Sequence, residues 1–166
     1  MAAGALGTVA VAAGCNGERR SGYDFLADNH AQTLAAICDQ IIPADDYPSA
    51  SQAGVIDYID RQLSRHYRPH REAYIAGLAI ADALCRSRCG CDLAAAPPEK
   101  QQEVVAALEQ HHREFFDLVR KHTMEGFYGS PRHGGNRDAV SWRMLGLPEP
   151  PLLGRAQYAL SKGSGR

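Results

Sequence analysis

The chain has 166 residues, 45% of them hydrophobic and 22% charged, which suits one globular domain with a real core. Eighteen basic residues against nineteen acidic ones leave a formal net charge of -1. That balance gives no electrostatic footprint for nucleic acid, and no block of like charge suggests a tail that binds it.

The first residues, "MAAGALGTVAVAAGC", are small, apolar and uncharged. The run is too short to span a bilayer but has the length of the apolar region of an export signal, without the basic segment that should precede it. The expectation is an export signal whose start codon was placed too late. "VAAGC" approximates the pattern ahead of a lipid-modified cysteine, which makes Cys15 a candidate for lipidation. Arg19 and Arg20 follow the apolar run, so they cannot be a twin-arginine signal; such a pair would sit upstream of Met1.

Helical spacing dominates the rest of the chain. Asp28 and Asn29 are good N-caps for a helix whose apolar positions are Leu34, Ile37, Cys38 and Ile41, stopped by Pro43. After the turn segment "PADDYPSAS", Ile56, Ile59 and Leu63 form a second stripe. Pro69 suits the first turn of a third helix, where Tyr74, Leu78, Ala81 and Cys85 share a face and Gly90 provides the stop. "PPEK" opens a fourth region in which Val104, Leu108, Phe115 and Val119 line one side, as one helix or two in succession. "SWRML" fits a short helix capped by Asn136 or Asp138. No alternating strand pattern is present. The predicted architecture is all-α: a bundle-like helical domain over 21–150, ending in a structured loop rich in Gly, Pro and aromatics. An export signal and linker (1–20) precede it, and a loosely ordered tail (151–166) comes after it.

The search for chemistry yields no self-sufficient catalytic constellation. "GSPRHGG" has neither the spacing nor the setting of a dinucleotide fingerprint, and there is no G-x-S-x-G elbow and no C-x-x-C-H haem motif. His66 and His70 are four apart, but Pro69 breaks the helix between them and turns the pair to solvent. His111 and His112 are adjacent, so at most one can join a site. Asp39, Asp45, Asp46, Asp57 and Asp60 flank turns and helix ends, where capping and solvation explain them. Cys38, Cys85, Cys89 and Cys91 are an even set that permits disulfides. "CRSRCGC" also admits a metal-thiolate reading through Cys85, Cys89 and Cys91, although its spacing lacks the paired C-x-x-C units of zinc sites; structural thiols or a disulfide are preferred.

The segment 126–148, "GFYGSPRHGGNRDAVSWRMLGLP", holds five glycines, two prolines and three aromatics. Glycine permits positive φ and close approach, and proline stiffens the chain. Phe127, Tyr128, Arg132, Asn136 and Trp142 are the candidates for a partner interface, because aromatics and Arg dominate interface energetics. The competing reading packs the aromatics, Trp142 above all, onto the chain's own bundle.

Two stretches carry a family resemblance. "TMEGFYGSPRHGGNRDAVSWRMLGLP" resembles the C-terminal signature of the gluconate 2-dehydrogenase subunit 3 family, and "LAAICDQIIPADDYPSASQAGVIDYID" resembles its N-terminal segment. His133 stands where the family more usually has Tyr, and "CRSRCGC" is not a family hallmark. The resemblance implies a cofactor-free, non-catalytic small subunit. FAD and substrate would belong to a large subunit of the glucose-methanol-choline (GMC) type, and haem c to a cytochrome subunit that accepts the electrons. It further implies a periplasmic, exported complex in which this chain assists assembly and maturation, its twin-arginine signal carrying the folded flavoprotein across the membrane. The alternative expectation is an independent small periplasmic metal- or redox-binding protein using Cys85, Cys89 and Cys91.

Overall fold

The computed structural model describes residues 22–148, so Cys15, the expected signal and the expected tail lie outside the described residues. Six α-helices succeed one another: α1 Asp28–Ile41, α2 Val55–Leu63, α3 Arg71–Cys89, α4 Pro98–His111, α5 Arg113–Tyr128 and α6 Val140–Met144. Short 3-10 turns at Arg68–His70, Leu93–Ala95, Pro131–His133 and Arg137–Ala139 join them, and no strand occurs among the described residues. The all-α expectation holds.

α1 is the central element and packs against α2, α3, α4 and α5. Its sequence suits that position. Between Asp28 and Asp39 it carries no carboxylate, Lys or Arg, and it buries Ala31, Leu34, Ala36, Ile37 and Cys38. Ile59 and Leu63 from α2, Tyr74, Leu78 and Ala81 from α3, Leu108 from α4 and Val119 from α5 close around it, all with no measurable exposure. Each such aliphatic side chain contributes about 1.5–3 kcal/mol on leaving water. Thr33 is the one polar side chain that α1 sends into the core. Its hydroxyl donates to both carboxylate oxygens of Asp82 at 3.0 Å, and Asp82 also accepts the backbone N–H of Leu93.

Two local expectations, the caps of α1 and the core position of Phe115, are revised, and of the two readings for the fourth region the two-helix one holds. Asp28 and Asn29 lie inside the first turn of α1, whose N-cap is Ala27 and receives no side-chain hydrogen bond. α4 and α5 are separate helices, because His112 leaves helical geometry at φ -130°, ψ 47°. That break resets the helical phase, so Phe116 rather than Phe115 takes the buried position after Leu108. The stop at Gly90 stands as expected, with φ +76° and its N–H on the carbonyl of Arg86.

Asp60 is the largest departure. It is a buried anchor rather than a solvated helix-end charge. Its carboxylate accepts the backbone N–H groups of Asp24, Phe25 and Leu26 at 2.6, 2.9 and 2.8 Å. Those bonds hold the segment before α1 against α2, where Leu26 enters the core and Arg71 lies over the Phe25 ring at 4.4 Å. Asp60→Asn keeps the shape but points an NH2 group at backbone donors and removes the charge assistance. The expected cost is about 2 kcal/mol or more, read as a lower denaturant midpoint at unchanged slope. A shift below about 0.5 kcal/mol, the usual surface value, would refute the anchor role.

Candidate functional site

The glycine-rich segment leaves α5 and folds back over α2. Two backbone approaches make this route feasible only for glycine. A Cβ on Gly135 would lie 2.2 Å from the carbonyl oxygen of Gly126, and one on Gly126 would lie 2.8 Å from the Tyr58 ring. Gly134 then turns at φ +105°, bringing its carbonyl against Gly54 at the start of α2.

Asn136 latches the loop. It is fully buried, its amide nitrogen donates to the carbonyl of Gly129 at 2.8 Å, and its oxygen accepts the N–H of Ser141 at 2.9 Å. Arg137 continues the attachment. Its backbone N–H reaches the carbonyl of Ala53 at 2.8 Å, and its guanidinium pairs with Asp57 at 2.9 Å. A polar cleft of about 370 Å³ lies between loop and helix, bordered by Asp57, Asp60, Arg61, Gly134 and Arg137. Asn136, Asp138 and Ala139 all have positive φ, at 47°, 56° and 51°. Such conformations cost of order 1–3 kcal/mol each in non-glycine residues and persist only where surrounding contacts enforce them.

The five residues expected at a partner interface divide by burial. Phe127 is 1% exposed and Asn136 is 0% exposed, so both are internal. Phe127 belongs to the hydrophobic core because α5 runs one turn further than the glycines suggested and carries it inward. Trp142 and Tyr128 are half-buried: the indole N–H donates to the Tyr128 carbonyl at 3.0 Å, closing α6 onto the end of α5. Arg132 is exposed, and among the described residues it forms no ion pair. Leu145 and Leu147, which neither spacing nor motif singled out, are 55% and 51% exposed beyond α6.

Beneath the loop lies a group of aromatics that spacing did not reveal, since its members come from α2, α3, α5 and the α2–α3 turn. Tyr67 donates to the Glu125 carboxylate, which leaves Tyr58 as donor to the Tyr67 oxygen at 2.9 Å. The Tyr67 ring stacks on His122 with centroids 3.8 Å apart and planes within 5°. His122 Nδ1 meets the Tyr74 hydroxyl at 3.0 Å. Burial pushes the Tyr74 phenol well up from its ordinary value, so it stays protonated and can donate to that nitrogen. Burial lowers the imidazole of His122 from 6.5 to about 4, against a smaller opposing effect of Glu125. His122 is therefore neutral at pH 7, with Nδ1 as the acceptor for the Tyr74 hydroxyl.

The histidine pairs fare differently. His66 is exposed as expected, but His70 is half-buried and sets its ring edge against Tyr67 and His122. His111 is exposed and His112 sits at the α4–α5 break; both border an open groove of about 680 Å³ between α3 and α5, with Gly77 and Phe115 in its wall. Neither pair joins a metal-ligating group among the described residues. Cys85, Cys89 and Cys91 do converge, with all sulfurs within 4.8 Å of one another, whereas Cys38 lies apart against the Thr123 hydroxyl. No described helix is long and apolar enough to cross a membrane.

His122 makes stability pH-dependent with a definite sign. Its folded-state value lies below the ordinary one, so the unfolded chain binds the extra proton first on acidification. The stabilisation is complete above pH 6.5 and is lost as pH falls from 6.5 to about 4. The span corresponds to about 3 kcal/mol. In urea unfolding across that window, His122→Phe is expected to remove about one proton's worth of slope. An unchanged slope would show that His122 does not carry it.

Comparison with curated proteins and with solved structures gives no match. The model of the gluconate 2-dehydrogenase subunit 3 family matches residues 28–148, from the first residue of α1 to the end of the latched loop. The match spans the central helix, the aromatic cluster and the glycine-rich segment together, and the chain belongs to the gluconate 2-dehydrogenase subunit 3 family.

Proposed function

We propose that this chain is the non-catalytic small subunit of an exported, FAD-dependent dehydrogenase of the GMC type. In this reading it supports assembly and maturation of the flavoprotein and its twin-arginine co-export to the periplasm. FAD and substrate reside in the large subunit, and a c-type cytochrome takes the electrons. The substrate class is gluconate, a related sugar or a glycoside. The family name implies a dehydrogenase partner.

One observation carries the docking part of the proposal. The loop accepts positive φ at three non-glycine residues and commits a buried Asn to fixing its own backbone. A bundle that needed only to cover its core could do so with an unstrained turn. What the strain holds in place is a rigid ledge with Arg132 unpaired, the edges of Tyr128 and Trp142 half-open, and Leu145 and Leu147 exposed. That combination of guanidinium, aromatics and aliphatics suits a protein partner.

Two measurements test this. Purified alone, the chain is expected to carry no flavin and to show no dye-linked sugar oxidation; stoichiometric FAD with activity would overturn the subunit reading. Co-expressed with its dehydrogenase subunit, Arg132→Ala is expected to melt like the parent yet bind the flavoprotein about 30-fold more weakly, equivalent to about 2 kcal/mol. Tyr128→Ala and Trp142→Ala are expected to weaken binding too, with Trp142→Ala also lowering the melting temperature through its bond to Tyr128. Parental binding by all three would place the interface elsewhere.

A further inference from the structure

The last turn of α3 ends at a cluster that the subunit role leaves unused. Cys85 and Cys89 stand four residues apart on one face, and Gly90 turns at φ +76° so that Cys91 comes back beside them. Their sulfurs lie 3.2 Å (Cys85–Cys89) and 3.5 Å (Cys89–Cys91) apart, and all three fall within 4.8 Å. The turn is held from outside the cluster. Asp82 binds the N–H of Leu93 at 3.0 Å, and Asp92 pairs with Arg86. Cys85 is buried, Cys91 half-buried and Cys89 exposed, so the group is open to solvent on one side.

We propose that Cys85, Cys89 and Cys91 form a three-thiolate site for a single soft metal ion, Cu(I). The spacing favours this over the alternatives. Thiolates about 2.3 Å from one ion stand about 3.8–4.0 Å from each other, within a small side-chain rotation of the observed separations. A polynuclear iron–sulfur core would stand between its thiolates and hold them farther apart. A Cys85–Cys89 disulfide conflicts with the helix, since Cβ atoms four residues apart are about 5–6 Å from each other whereas a disulfide needs about 3.5–4.5 Å. Among the described residues no histidine or carboxylate joins the group. Thiolates suit Zn(II) as well as Cu(I), but a closed zinc site takes four protein ligands and three would leave a position for solvent, whereas three sulfurs complete the shell of Cu(I). Binding displaces the three thiol protons to solvent with no change of oxidation state, and leaves the site with net negative charge. Arg86 and Lys100 lie close enough to interact electrostatically with Cys85 and Cys89 and so offset part of it.

The test is an anaerobic titration of the reduced full-length chain with Cu(I) buffered by bicinchoninate. One equivalent is expected to bind, with X-ray absorption showing an all-sulfur, three-coordinate shell. Cys89→Ser and Cys91→Ser leave the buried Cys85 untouched and should not affect folding. Each is expected to weaken binding by more than about 100-fold, beyond the roughly 10–100-fold cost of losing an outer-shell partner. Equal binding by parent and both variants would overturn the proposal. So would stoichiometric Zn(II) that Cu(I) does not displace, or a Cys89–Cys91 disulfide without metal in protein taken from its native compartment.

Discussion

The carboxamide of Asn136 is the constraint on which the glycine-rich loop depends. The residue occupies a left-handed backbone conformation and is fully buried, and its side chain bridges the Gly129 carbonyl and the Ser141 N–H. Asn visits that conformation more readily than other non-glycine residues, because its short polar group can bond locally. Both functions of the residue are needed at once. Without the backbone turn, Gly135 could not cross Gly126; without the amide bridge, two polar backbone groups near the core would lose their partners. Ala139 has no such local compensation at φ 51°, so its strain is sustained by what surrounds it: its N–H bond to the Asn136 carbonyl and the burial of Val140.

The loop and the aromatic cluster form one unit because α5 serves both. Glu125 accepts from Tyr67, Gly126 admits the Tyr58 ring and passes beneath Gly135, and Phe127 enters the core. Three successive residues thus tie α2, the α2–α3 turn and the loop to α5. His122, one turn earlier, joins α3 through Tyr74. A neutral imidazole suits this position: it stacks like an aromatic ring, yet supplies the acceptor that the buried phenol of Tyr74 requires. Protonation would place a charge among three aromatic rings, and burial explains why that form is resisted.

Much of the architecture was legible in the sequence. The apolar positions of α1, α2 and α3 recur at helical spacing, and the residues named for those stripes are in the core apart from Ile41, which is half-buried. Glycine at the end of α3 and proline beyond α1 marked boundaries for local reasons that spacing alone expresses. What escaped depends on distant partners. Asp60 looks like any acidic residue near the end of an amphipathic helix, and its role arises from three N–H groups 34 to 36 positions away. The shift from Phe115 to Phe116 results from a single non-helical residue, His112, which no proline or glycine announces. In the loop, aromatic content suggested docking for Phe127 and Trp142 alike, because composition cannot separate a side chain that closes its own bundle from one that faces outward. The glycines were more informative, since close approach is the one property glycine alone supplies.

The same helix separates two regions of different character. α3 begins beside the aromatic cluster, with Tyr74 on His122, and ends at the cysteine turn. At 1.5 Å per residue, the 15 positions from Tyr74 to Cys89 span about 22 Å of helix. The loop is anchored near the first end through α2 and α5, whereas the cysteine turn is held at the other by Asp82 and Asp92. Asp82 also receives the Thr33 hydroxyl from α1, so the cysteine turn is braced against the central helix rather than against the loop. Strain in the loop and chemistry at the thiols are therefore separable. A change in one reaches the other through packed helices, chiefly α1 and α3, where dense apolar contacts surround the Thr33–Asp82 bond.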